Sequence, residues 1–234
     1  MILVVASQRD PGAAALVAGW AGARLLTPAD LSLPGWVLPA GATGPGDPPG
    51  RGVADGEPFE VDRVGRVVCL LARVRPAELT WIADEHRGYV AAEMTALLGH
   101  WLAGLGDRCV VRPTPGDLAG PTRPTTAWAA AAGLPVAERS GSGSHVVVTV
   151  VGRRVVVGGD GPAPGPAERR GLVAAAAAHD APLLSAVLTP GGPGEGLALE
   201  AVLPAPLVAT PAARAAVRRY VASGRPRTRE RVAS

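Results

Sequence analysis

The first thirty residues leave this chain little choice of architecture. Met1-Ile2-Leu3-Val4-Val5-Ala6 is an unbroken apolar run, the pattern of a strand buried on both faces. Asp10-Pro11 follows. An Asp side chain accepts the first free amides of a helix, and Pro is pre-set for the first helical position. Ala13–Trp20 is then helical and Arg24-Leu25-Leu26 returns as a strand, with Thr27-Pro28 repeating the cap signal before Ala29-Asp30-Leu31. A strand–helix–strand order of this kind predicts a parallel sheet with a right-handed crossover.

Beyond it, Gly41 to Gly56 is rich in Gly, Pro and Asp and reads as a loop. Phe59–Val61 and Val67–Leu71 read as strands. Asp84–Leu105 is the longest helical pattern, its apolar positions recurring at three- and four-residue spacing. Cys109–Val111 is a further strand, and a helix over Thr125–Ala132 stops at Gly133. Ser140-Gly141-Ser142-Gly143-Ser144 then reads as a linker. His145–Val151 and Arg153–Gly158 form a hairpin pattern around Gly152, Ala167–His179 a helix, Leu183–Leu188 and Leu197–Val202 two strands, and Thr210-Pro211 caps a last helix to about Ala222. The fold class is therefore α/β: an N-terminal Rossmann-like parallel sheet with helices, followed by a smaller α+β part.

All 23 basic residues are arginine; the chain has no lysine, no asparagine and a single glutamine, Gln8. With 31 Gly and 24 Pro this bias fits a GC-rich bacterial genome. The apolar start lacks a basic n-region, so it is read as a strand and not a signal peptide. No apolar run reaches membrane-spanning length. Cys69 and Cys109 each lie inside an apolar run, as buried thiols do. The location expected is cytoplasmic.

The order of motifs resembles the ATP-grasp superfamily, in particular its peptide- and ribosomal-protein-modifying ligases. Cys109-Val110-Val111-Arg112-Pro113 and Gly133-Leu134-Pro135-Val136 stand where that family has its "VLNxP"-like strand and "GLPVP"-like turn. The hairpin from His145 to Val155 is similar to its "DVRVxVVGxxV" strand pair, and Leu199-Glu200-Ala201-Val202 with Pro204 and Pro206 to its closing "LEVNPxP" strand. The resemblance implies a pre-ATP-grasp domain with its linking helix over 1–136, a truncated ATP-grasp-like domain over 137–222 and a basic, disordered tail over 223–234. The departures matter most. Only Ala137 to Ser144 separate the turn from the hairpin, where the family carries the lobe that grips ATP. The lysines that would hold phosphates are missing. Glu200 keeps a carboxylate, but Val202 stands at the asparagine position and Val148 at the hairpin arginine.

This pattern predicts a non-catalytic, ATP-grasp-derived protein without cofactor or metal, an accessory subunit binding a peptide or protein in a modification or biosynthetic pathway. The alternative is a shortened carboxylate–amine ligase using Arg112, Arg123 and Arg153 for phosphates and Glu200 for Mg²⁺. His86, Glu93 and His100 share a helix face, but steps of about 10 Å separate them and no single metal bridges that. From Arg214 onward there are seven arginines against one acid, Glu230, which suits an acidic partner. Nucleic acid is disfavoured, because no aromatic follows Tyr220 to stack on bases. Arg214 and Arg218, and Trp36 between Pro34-Gly35 and Pro39, are the partner-binding candidates; Trp81 and Trp101 are expected in the core. Assembly with itself or with another chain is compatible with this reading.

Overall fold

A computed structural model describes residues 1–38, 50–137, 145–159, 161–191 and 196–224. Its first half is built on three parallel strands, β1 (Ile2–Val5), β2 (Ala23–Leu26) and β5 (Arg66–Cys69), in the order β2-β1-β5. The Cys109–Val111 segment extends this sheet only as a bridge, with Val67 opposite Cys109 and the Val110 amide donating to the Val67 carbonyl at 2.9 Å. The intervening helices start as their caps dictate. The amides of Gly12 and Ala13 donate to Asp10 Oδ1 at the head of α1 (Pro11–Ala18), and Thr27 and Asp30 form a reciprocal box on the short α2 (Pro28–Leu31).

Alternate residues of this sheet face two different cores. Leu3, Val5, Val67 and Cys69 pack with Leu98, Trp101 and Leu102 of the long α3 (Asp84–Gly104). Val4, Ala6, Val68 and Leu70 pack on the opposite side with Leu16 of α1 and Val217 of α6 (Pro211–Ala222). Part of the segment expected to be a loop is a strand: β3 (Arg51–Ala54) pairs antiparallel with β4 (Glu57–Glu60). The reason is tertiary. Gly52 lets the rings of Phe59 and Trp36 close over the strand, and a Cβ there would sit 2.5 Å from the Phe59 ring. Residues 39–49 of that stretch, the Ser140–Ser144 linker and the tail from Arg225 lie outside the described residues.

The second half is a four-stranded antiparallel sheet, β7-β6-β8-β9, formed by β6 (Val146–Val151), β7 (Arg154–Gly158), β8 (Leu183–Pro190) and β9 (Leu197–Leu203). One face carries Val146, Val148, Val150, Leu184, Ala186 and Leu188 against α4 (Thr125–Ala132) and α5 (Pro166–Ala178). The other face holds a buried polar cluster. Thr149 and Ser185 hydroxyls lie 2.9 Å apart, Thr149 donates to the Leu207 carbonyl and the Leu207 amide donates to Ser185. Every member is paired, so the 204–208 segment is fixed across the sheet at no desolvation cost left open. Trp101 is in the core as expected, but Trp81 is 44% exposed, its indole N–H donating to Ser32. Among the described residues no helix is long and apolar enough to cross a membrane.

Candidate functional site: an arginine-lined cleft

The tight turn that joins β6 to β7 is the seed of the site. Val151 pairs with Arg154, leaving Gly152-Arg153 as the turn. Gly152 has φ of 58°, the left-handed region that glycine enters without a Cβ penalty. It must also be small: a Cβ would lie 2.6 Å from the ring of Tyr220. The turn is thereby pressed onto α6, and its amide is anchored on the Pro182 carbonyl at 2.7 Å. Between this turn, the last turns of α5 and the last turns of α6 opens a cleft of about 470 Å³.

Its floor is apolar, with Val173, Ala176 and Ala216, and its rim carries Arg153, Arg154 and Arg219. All three arginines are exposed. Asp180, held at φ of 50° just past α5, is the one acid on the lining. Two helix C-termini also point here, each worth about half a negative charge. Three full positive charges against one acid and two half charges leave the cleft positive by about one unit. Its chemistry is that of a preformed, mostly apolar depression with an anion-binding rim, the usual anatomy of a small-ligand or peptide-anchor site.

The residues singled out in the sequence scatter. Arg153 lines the cleft. Arg112 pairs with Asp107 at 2.7 Å on the exposed loop after α3. Arg123 is exposed ahead of α4. Glu200 is the extra residue of a bulge in β9, since Val187 faces Ala201 and Leu188 faces Leu199. Neither of the two cavities described in this chain includes Arg112, Arg123 or Glu200.

The partner candidates are engaged internally. Arg218 donates to the Ala15 and Leu16 carbonyls at the end of α1, and Arg214 to those of Val208 and Ala209. Trp36 stacks edge-on against Phe59 and Trp101 and donates to the Asp30 carbonyl. Among the described residues the arginine of α6 that is exposed and lines the cleft is Arg219, which reading the sequence missed. Its signal was the Arg218-Arg219 doublet: on a helix, neighbours point about 100° apart, so one arginine turns inward and the other outward. Among the described residues no three His, Cys, Asp or Glu side chains are placed to hold a metal.

Neither a protein-family model nor a curated protein sequence matches the chain. Solved structures do. The chain is similar to the macrocyclase MdnC of Microcystis aeruginosa MRC, in its structure bound with the precursor peptide MdnA, with a TM-score of 0.71 over 96% of this chain and 100% of that one, at 12% identity. It is also similar to the macrocyclase MdnB of the same organism, with a TM-score of 0.62 over 94% of this chain and 98% of that one, at 13% identity. At such identity the likeness is one of fold, and the α/β architecture with its parallel and antiparallel sheets is that fold.

Proposed function

We propose that this chain is a peptide- or protein-binding accessory subunit of a peptide-modification or biosynthetic pathway, and that the arginine-lined cleft takes an acidic segment of its partner. The observation that carries this reading is the cleft itself: an apolar floor beside three exposed arginines, Arg153, Arg154 and Arg219. The fold likeness to a macrocyclase bound with a precursor peptide supports a peptide as the partner. An ATP-grasp origin is part of the proposal and rests on the motif order. The non-catalytic reading is supported by the eight residues from Ala137 to Ser144 standing where a nucleotide lobe would be. It is also supported by the 204–208 segment, which occupies one face of the second sheet through Thr149 and Ser185.

The test uses fluorescein-labelled twelve-residue peptides, one with four glutamates and a leucine anchor and one with glutamines in their place, read by anisotropy at low salt. The acidic peptide is expected to bind and the neutral one to bind at least tenfold more weakly. Replacing Arg153, Arg154 and Arg219 together by Ser is expected to remove that difference. Equal binding of the two peptides, or binding unchanged in the triple variant, would refute the cleft. Calorimetric titration with Mg·ATP addresses the alternative. Micromolar binding lost in Arg123→Ala or Glu200→Ala would make the chain a nucleotide-using ligase instead.

A further inference from the structure

A second concavity lies in the other half of the molecule and has no part in the cleft above. It runs between α3 and the loop Pro113–Leu118 and encloses about 680 Å³. Its position follows from topology. The loop and Arg73-Val74 leave the carboxyl ends of Cys109–Val111 and β5, and in open α/β sheets the crevice outside those ends is where ligands settle.

The wall given by α3 is unusual for the length of its small side chains: Gly88, Ala92, Ala96, Gly99 and Ala103 all line the groove. The fifteen residue-to-residue steps from Gly88 to Ala103 span about 22 Å, the reach of six or seven residues of extended chain. His100 is the one large side chain that α3 contributes to the lining; the other helix positions there are Gly, Ala and Thr, which leaves room for a slim ligand. Thr95 contributes no free recognition group, because its hydroxyl already donates to the Ala91 carbonyl and accepts from the Val74 amide.

Asp117 is different. It is 8% exposed and lines the groove. The loop holds it rigidly, through paired main-chain bonds with Thr114 and an Ala119 amide donating to its Oδ1 at 2.8 Å. No ion pair within 4 Å takes up its charge among the described residues. Arg73 and His100 also line the groove; the Arg73 charge acts on Asp117 without pairing with it within 4 Å. A buried carboxylate without a salt-bridge partner, facing a preformed space, is a costly arrangement that a ligand cation would relieve. We propose that this groove docks an extended peptide segment and seats a lysine or arginine side chain of that segment on Asp117. This is independent of the acidic-peptide reading of the first cleft.

The test pairs two labelled octapeptides of glycine and alanine, one with a central arginine and one with its neutral isostere citrulline, read by anisotropy against the full chain. The arginine peptide is expected to bind at least fivefold more tightly. Asp117→Asn keeps the oxygen that Ala119 uses and is expected to remove the preference. Ala96→Trp, at an exposed helix position, is expected to block both peptides while thermal melting stays within a few degrees of the parent. Arg219→Ser is expected to change nothing here. Amide chemical shifts moved by the arginine peptide should cluster in 88–103 and 113–118. Equal affinity of the two peptides, no binding at millimolar peptide, or shifts grouped around Gly152 and Arg219 instead would each overturn the proposal.

Discussion

Asp117 carries a thermodynamic signature that can be read without any ligand. Burial raises its pKa above the ordinary carboxylate value, and the Ala119 amide and the Arg73 charge offset this only in part. The folded state therefore holds this proton more tightly than the unfolded state, whose Asp titrates near 3.9. The sign follows from linkage. Above the folded-state pKa the chain bears the full cost of the buried charge, and that cost fades as pH falls toward the unfolded value. Asp117→Asn is expected to be at least as stable as the parent at pH 7 and to flatten the fall of the urea midpoint as pH rises above about 4. Parallel profiles for the two proteins would show that Asp117 is not the group responsible. Cys69 shows the same physics in a thiol, pushed up to about 12 chiefly by burial, and so is inert where Asp117 is merely uncomfortable.

Among the elements, the contact of α4 with α5 depends on one missing methyl group. Gly171 faces the last turn of α4, and a Cβ there would run into the Ala132 carbonyl oxygen well inside van der Waals contact. Because the obstacle is main chain, it cannot rotate away. Gly171→Ala gains helix propensity of at most about 1 kcal/mol, while overpacking costs about 1–3 kcal/mol. A lowered melting temperature is expected, checked by circular dichroism; an unchanged or raised one would mean that α4 moves freely. The sequence could not reveal this, since glycine in a helix looks like a defect until its neighbour is known. What it did reveal was local. Asp10, Thr27 and Thr210 announced their helices because a cap is decided within three residues. Strand β3 was missed because Arg51-Gly52-Val53-Ala54 is a strand only through β4 and the Trp36 ring. Trp81 was misplaced: it lies at the surface, its indole N–H donating to Ser32 just past α2, a long-range contact that no local pattern encodes. For the cleft, Arg153 was legible as a turn residue, but its association with Arg219 required packing across 66 positions of sequence.

At the scale of the whole molecule one hydrophobic core spans the motif boundary at 136/137. The third core joins Val4, Leu16, Val68 and Val111 from the first half to Val151, Leu183, Val208 and Val217 from the second. Arg218 of α6 ties into the carbonyls at the end of α1, satisfying groups that a helix end otherwise leaves open. Docking that rests on a shared, dry core couples unfolding, whereas a wet domain interface would not. Val217 is fully buried at the centre of that core, so Val217→Ala should cost about 2 kcal/mol from lost burial and the cavity left behind. If the core is common property, the loss must reach both sheets equally. Native-state hydrogen exchange reads this directly: the slowest amides of β1 and of β8 are expected to lose protection by the same factor, and urea unfolding to remain one transition by tryptophan fluorescence and by circular dichroism. Loss confined to β8, or a split transition, would show that the halves fold alone and that the two clefts on them can be uncoupled.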